Sequence, residues 1–277
     1  MQNNQLKSII LSVAVWISAF ILVLIRSAIL LFGFDFETSF FKSEPAAYLS
    51  YLLLIICIAL AVTLSLKTKT TGYSVFTKHT FKDILNAFIS VVFLAFTIIY
   101  VIKFLDISTI SPEKRNVLEA VSYYICLPFS VLSAVYYLKR LFSSKGACTS
   151  NALLSLCPPI FLSAMLVHKF ATVAASASSL SHFPDVISLL ILAFFILSEG
   201  KNYIPGTEVT PGKALSMLLS ITISLSFSAI PDLISVLSGK NVFDAEDTVF
   251  LILKFAFLIY SVAETVFFAK ASKEDDQ

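Results

Sequence analysis

The sequence predicts an all-α, polytopic integral membrane protein: a helical bundle of about eight transmembrane helices. Of its 277 residues, 57% are hydrophobic and 14% are charged, and the mean hydropathy is +0.88. Because a soluble globular chain carries about 25% charged residues, so many apolar side chains cannot all be buried inside a soluble domain. The apolar residues form long runs with short segments between them. We therefore expect one transmembrane domain over residues 1–277, without a separate soluble domain.

Eight apolar runs are long enough to cross a bilayer. A transmembrane helix needs about 20 mainly apolar residues, because every backbone polar group must be bonded inside the segment. The sixth run is the shortest, and it crosses only if Asp185 and Glu199 lie at opposite membrane surfaces. In the fifth run, Pro158 and Pro159 are expected to bend or thin the helix. The predicted spans are residues 9–32, 46–66, 84–105, 117–138, 153–171, 183–198, 214–237 and 248–269.

The loop charges predict the orientation of the chain. If the N-terminus is inside, the inner segments carry about twelve lysine and arginine residues and the outer segments about six, as the positive-inside rule requires. Both termini are therefore expected in the cytoplasm, and the expected location is the cytoplasmic membrane. The odd-numbered spans also resemble one another weakly. Four parallel helical-hairpin repeats and a chance similarity of apolar helices are both open interpretations.

The net charge and the absence of motifs restrict the classes of function. A formal charge of +2 gives no support for a nucleic-acid partner. The sequence has no nucleotide-binding glycine loop, no H-E-x-x-H and no G-x-S-x-G motif. We therefore expect no cofactor and no catalytic residue, and an enzyme is disfavoured. His168, His182 and Asp185 are a weak alternative as an outer metal site, because their spacing matches no recognised ligand pattern.

Arg26, Lys254 and Glu264 are ionisable residues inside the predicted spans. A charge at the centre of a transmembrane helix costs about 2.5–3.5 kcal/mol on insertion scales, and such residues usually face the bundle interior. Arg26 and Lys254 lie at a similar depth below the outer surface, where they either form a shallow anion site or meet separate partners. Glu264 is either an inner gate residue or an interfacial acid. Arg26 shares a small and polar stripe with Ser12 and Ala19.

A row of serines is the most regular feature of the seventh span. Ser216, Ser220, Ser224 and Ser228 recur every four residues and lead to Asp232, which follows Pro231. Small side chains at this spacing allow close packing of another helix. The alternative is a hydroxyl-lined path that ends in an ion or solute site at Asp232.

These features favour a small-solute or ion permease, or the membrane subunit of a transporter. In that hypothesis Arg26 and Lys254 orient an anionic group, Ser220, Ser224 and Ser228 line the path, and Asp232 and Glu264 act as gates. The main alternative is a non-catalytic scaffold that packs against a partner. An intramembrane lipid-modifying enzyme is less favoured. The expected partners are the lipid bilayer, a small solute or ion, and a membrane protein or a second copy of the chain.

Overall fold

Helices make up almost all of the part of the chain that the structure describes. The structure is a computed structural model, and it describes residues 2–35, 40–67, 80–109, 117–142, 152–174, 182–201 and 210–274. A short antiparallel pair, β1 (Phe34–Asp35) and β2 (Phe40–Phe41), joins the first two helices. The helices are α1 Gln2–Gly33, α2 Glu44–Leu66, α3 Thr80–Thr109, α4 Val117–Phe142, α5 Ala152–Ser155, α6 Cys157–Ala174, α7 Phe183–Lys201, α8 Pro211–Leu237 and α9 Ala245–Glu274.

The predicted all-α membrane bundle is confirmed. Seven of the described helices are long and apolar enough to cross a membrane: α1, α2, α3, α4, α7, α8 and α9. The sixth predicted span is among them, because α7 extends over 19 residues. Asp185 and Glu199 lie near opposite ends of α7, as a crossing of this span requires.

The fifth predicted span is not one continuous helix. It is interrupted at Leu156, and its apolar part, Leu153–Lys169, is shorter than the seven long helices. The cause is local chemistry. Pro158 and Pro159 have no N–H groups, so they cannot donate to the carbonyls of Leu154 and Ser155 one turn earlier. Proline suits the first turn of a helix, and α6 therefore begins at this point.

The helices group into two compact units. The first contains α1, α2, α8 and the part of α9 from Phe257 onward, and the second contains α3 to α7 and residues 243–256. Within the first unit, α8 packs against α1 and α2. Within the second, α4 packs against α3 and α6, and α6 packs against α7.

Large apolar side chains on the outer helix faces fit a lipid environment. On α1, Ile17 and Leu24 are more than half exposed and lie seven residues apart, on one face. On α3, Val91 and Ile98 repeat this pattern. The opposite face of α1 carries the predicted stripe of Ser12, Ala19 and Arg26, and all three are buried. In a protein without a membrane, apolar surface on this scale would be a binding or aggregation site.

Candidate functional site

A buried carboxylate is the centre of a polar cluster in the second unit. Glu246, in the first turn of α9, accepts a hydrogen bond from Lys103 Nζ at 2.5 Å and one from the Tyr100 hydroxyl at 3.4 Å. Both donors lie on α3, one turn apart. Asp244 is the second acid near Lys103, with 3.7 Å between Oδ2 and Nζ. Glu246 is only 5% exposed, so the ammonium of Lys103 neutralises a charge that water cannot reach.

His168 on α6 completes this cluster. Its Nε2 lies 3.6 Å from Glu246 Oε1 and 3.3 Å from the Tyr123 hydroxyl, and its Nδ1 lies 2.9 Å from Ser122 Oγ. Tyr123 and Ser122 belong to α4, and both are buried, as is His168. Four helices thus contribute to one buried network. We call it the outer cluster, after its predicted side of the membrane: Tyr100, Lys103, Ser122, Tyr123, His168, Asp244 and Glu246.

Two further ion pairs connect α9 to α6 and to α7, next to the outer cluster. Lys169 Nζ contacts Asp247 Oδ1 at 2.8 Å, and Lys254 Nζ contacts Asp185 Oδ1 at 2.8 Å. Both ammonium groups also lie 4.7 Å from the centre of the Phe250 ring, a distance at which a cation is attracted by the ring face. Lys254, a predicted anion-binding residue, therefore has an acidic partner of its own.

A second charged cluster lies at the opposite ends of α3 and α4, together with the end of α7. Arg140, in the last turn of α4, donates two hydrogen bonds to the Glu199 carboxylate, at 2.7 and 3.1 Å. The Lys82 ammonium, at the start of α3, lies 4.0 Å from Glu199 Oε1. The rings of Tyr136 and Tyr137 each lie 5.6 Å from the Arg140 guanidinium. Lys82, Arg140 and Glu199 are all buried, and we call these three the inner cluster.

The two clusters define the ends of the α5–α6 segment. Ser155, before the break, packs on Gly200, the neighbour of Glu199, whereas His168 contacts Glu246 in the outer cluster. About fourteen residues of helix span roughly 20 Å, so the interrupted fifth segment runs from one end of the second unit to the other. Aromatic side chains fill the space between, including Phe93 and Phe161, whose ring centres are 5.2 Å apart.

Arg26 lies in the first unit, among aromatic rings. Its guanidinium donates a hydrogen bond to the Tyr51 hydroxyl at 2.7 Å. The rings of Tyr51, Phe227 and Phe41 lie 5.2, 5.6 and 5.8 Å from it. Arg26 is only 2% exposed. Cation–π attraction therefore stabilises this buried charge. Lys254, the other residue of the predicted anion site, belongs to the second unit.

The serine row of α8 is buried and bonded to its own helix. Ser216 donates to the Lys213 carbonyl and Ser220 to the Ser216 carbonyl, both at 2.7 Å, and Ser224 donates to the Ile221 carbonyl at 3.2 Å. Ser228 is also buried. These bonds satisfy the hydroxyl protons inside the helix, an arrangement that favours close packing.

Asp232 and Glu264, the predicted gate residues, both belong to the first unit. Asp232 is half-buried near the end of α8, and its carbonyl accepts a hydrogen bond from Ser235. Glu264 on α9 is only 2% exposed. The buried residues beside it on α9 include Ser261, whose hydroxyl lies 3.0 Å from that of Thr222 on α8.

The predicted metal alternative is not assembled in the described residues. His168 contacts Glu246 and Asp185 contacts Lys254, and no group of three His, Cys, Asp or Glu side chains suited to a metal ion occurs in this part of the chain. Neither cluster was predicted from the sequence. Their only signal in the sequence is charge near span ends, which the positive-inside rule already explains.

Comparison with known protein families, with curated proteins and with solved structures gave no match for this chain.

Proposed function

We propose that the chain is a permease for a small solute or ion, or the membrane subunit of a transporter, in the cytoplasmic membrane with both termini inside. One observation carries this proposal: the second unit buries ionisable side chains at both ends of α3 and α4. Such groups are costly in hydrocarbon and are concentrated along substrate and ion pathways. A bundle that needed only packing would be served by apolar residues at these positions.

The second unit supports the proposal better than the residues predicted from sequence. The Asp185 partner of Lys254 and the helix-bonded hydroxyls of Ser220 and Ser224 favour structural roles for these residues. In this proposal the outer and inner clusters close the two ends of a pathway, with the aromatic layer of Phe93 and Phe161 between them. Arg26 remains a candidate for orienting an anionic solute, with Ser228, Asp232 and Glu264 as candidate path and gate residues.

Ligand-dependent thermal unfolding tests this proposal. The full chain in mild detergent is heated with a panel of inorganic ions, carboxylates, amino acids, sugars and nucleosides. A ligand that binds the folded protein at 100 times its Kd stabilises it by about 2.7 kcal/mol. We expect at least one panel member to raise the midpoint of the wild type and of the exposed control Glu44→Gln, but not of Arg26→Gln or Glu246→Gln. A panel without effect on the wild type contradicts the proposal.

A scaffold protein is the second candidate, and the α8 serines favour it. Hydroxyls that donate to their own helix leave a smooth ridge for a neighbouring helix. Purification in mild detergent separates the two functions. A partner protein that copurifies at fixed stoichiometry supports the scaffold, whereas a monodisperse monomer that binds a panel ligand supports the permease.

A further inference from the structure

We propose that His168 and Glu246 together bind one proton, held between His168 Nε2 and Glu246 Oε1. The binding of the proton stands on the geometry of the outer cluster alone. Its use to drive solute movement rests on the proposed function.

The two side chains lie just beyond hydrogen-bond distance of each other, so a proton on Nε2 forms the bond once they approach by about half an ångström. The 3.6 Å between Nε2 and Oε1 exceeds the usual length of an N–H···O hydrogen bond, about 2.7–3.2 Å. Ser122 Oγ holds the other ring nitrogen at 2.9 Å. When Nδ1 carries the ring proton and donates it to Ser122, the lone pair of Nε2 accepts from the Tyr123 hydroxyl at 3.3 Å, with the carboxylate next to it at 3.6 Å. A proton added at Nε2 turns the contact with the carboxylate into a charge-assisted hydrogen bond.

The charge of the outer cluster also favours uptake of one proton. With a neutral imidazole, the cluster contains one cation, Lys103, and two anions, Asp244 and Glu246. The adjacent pair of Lys169 and Asp247 is neutral in itself. One proton on His168 therefore brings the cluster to zero charge; Asp244 is its exposed edge, whereas His168 and Glu246 are buried, where an unbalanced charge is costly.

The surrounding side chains accommodate both charge states. The hydroxyls of Ser122 and Tyr123 can donate or accept, so they bond to a neutral or a charged imidazole. Lys103 and Tyr100 hold Glu246 in place from the other side. The titratable and charged groups around the pair come from α3, α4, α6, α9 and the residue just before α9: Tyr100, Lys103, Tyr123, Cys126, Lys169, Asp247 and Asp244.

The step needs no co-reactant other than water. A hydronium ion from the outer solution gives its proton to the Nε2 lone pair, an N–H bond forms, and water is released. Loss of the proton to water reverses the step. No other bond changes, and the carboxylate of Glu246 stays ionised throughout.

Proton counting on the purified full chain tests this site. In unbuffered mild detergent, acidification from about pH 8 to about pH 5 covers the range in which histidine changes charge. We expect His168→Gln to take up one proton fewer than the wild type. We expect the same loss for Glu246→Gln. Without the Glu246 carboxylate, a protonated His168 would be a buried cation near the ammonium of Lys103, so His168 stays neutral. The double variant should also lose one proton, since both residues belong to one site.

The matched control is Asp247→Asn, which removes a neighbouring carboxylate paired with Lys169 and should leave the count unchanged. If His168 instead binds its proton independently of Glu246, the Glu246→Gln variant takes up as many protons as the wild type. This result overturns the proposal.

An infrared measurement keeps the test decisive if a single variant fails to fold. In the His79→Gln, His182→Gln background, His168 is the only histidine of the chain. We expect acidification to produce an imidazolium band without a new protonated-carboxyl band from Glu246. Absence of the imidazolium band overturns the proposal. Neither measurement involves a solute, so the proton site and the permease are tested separately. If the protein binds the proton but no ligand of the panel, the permease proposal is refuted and the proton site is not.

Discussion

Gly200 and Ser155 hold the end of α7 against the break between α5 and α6. A Cβ added to Gly200 would lie 3.1 Å from Ser155 Oγ and 3.3 Å from Ser155 Cβ, tighter than nine in ten contacts of real Cβ atoms. A side chain at this position would therefore displace Ser155 by a few tenths of an ångström. The contact also fixes the adjacent Glu199, since both residues lie in the last turn of α7.

Replacement of Gly200 by valine should destabilise the protein by about 1–3 kcal/mol, as overpacking of a filled site does. Thermal unfolding in mild detergent measures the loss. Gly33→Val is the matched control at a helix end, because nothing lies within 4 Å of the position of its Cβ. Equal effects at the two glycines would contradict the close packing.

Loss of the Glu199 charge should be among the most damaging changes in the second unit. Glu199→Gln leaves the buried Arg140 and Lys82 without their carboxylate, a type of change that costs about 3–5 kcal/mol. Replacement of Glu199 by leucine together with Arg140 by methionine should recover part of this stability, since Lys82 then remains as the one cation of the inner cluster. The measurement is the unfolding midpoint beside exposed Glu44→Gln. A single variant as stable as this control would refute the inner cluster.

Arg26 should not be replaceable by lysine. The guanidinium is planar and stacks on rings, whereas an ammonium is compact and strongly hydrated. We expect Arg26→Lys to lower the unfolding midpoint. Tyr51→Phe keeps the ring and loses one hydrogen bond to a charged group, which is worth about 1.5–3 kcal/mol. Unfolding of Arg26→Lys at the wild-type midpoint would contradict a stabilising contact between the guanidinium and the rings of Tyr51 and Phe227.

In the serine row of α8, the stability of the protein should depend on the size of the side chain rather than on its hydroxyl. Ser224→Ala removes a bond to the helix's own carbonyl and should change stability by less than about 1 kcal/mol. Ser224→Leu adds volume at a buried position and should cost about 1–3 kcal/mol. If Ser224→Ala instead abolishes binding of a panel ligand without a loss of stability, the hydroxyl belongs to a solute path.

Ser122 and His168 also present the contact that the lipid-modifying enzyme hypothesis requires. A serine hydroxyl within hydrogen-bond reach of a histidine, which in turn faces a carboxylate, resembles an activated nucleophile. Ser122 is only 3% exposed, however, and we expect a fluorophosphonate probe to leave it unlabelled. Labelling of the wild type that disappears in Ser122→Ala would restore the enzyme hypothesis.

The charged residues of both clusters are visible in the sequence, but their partners are not. The charges of Lys82 and Arg140 were visible near span ends, and the loop-charge rule explained them without any partner. Glu246 was equally visible, but it precedes the eighth predicted span. Its contacts with Lys103 and His168 bridge residues 143 and 78 positions apart along the chain. No local pattern encodes such distances.

Properties that depend on composition and short spacing were determined by the sequence. The helical membrane class follows from apolar runs of bilayer length, the interruption of the fifth span follows from two adjacent prolines, and the buried stripe of Arg26 follows from helical periodicity. Only the tertiary structure decided which charges meet. It paired Lys254 with Asp185 and Glu246 with Lys103, because the pairing of buried charges depends on the packing of helices that are distant in sequence.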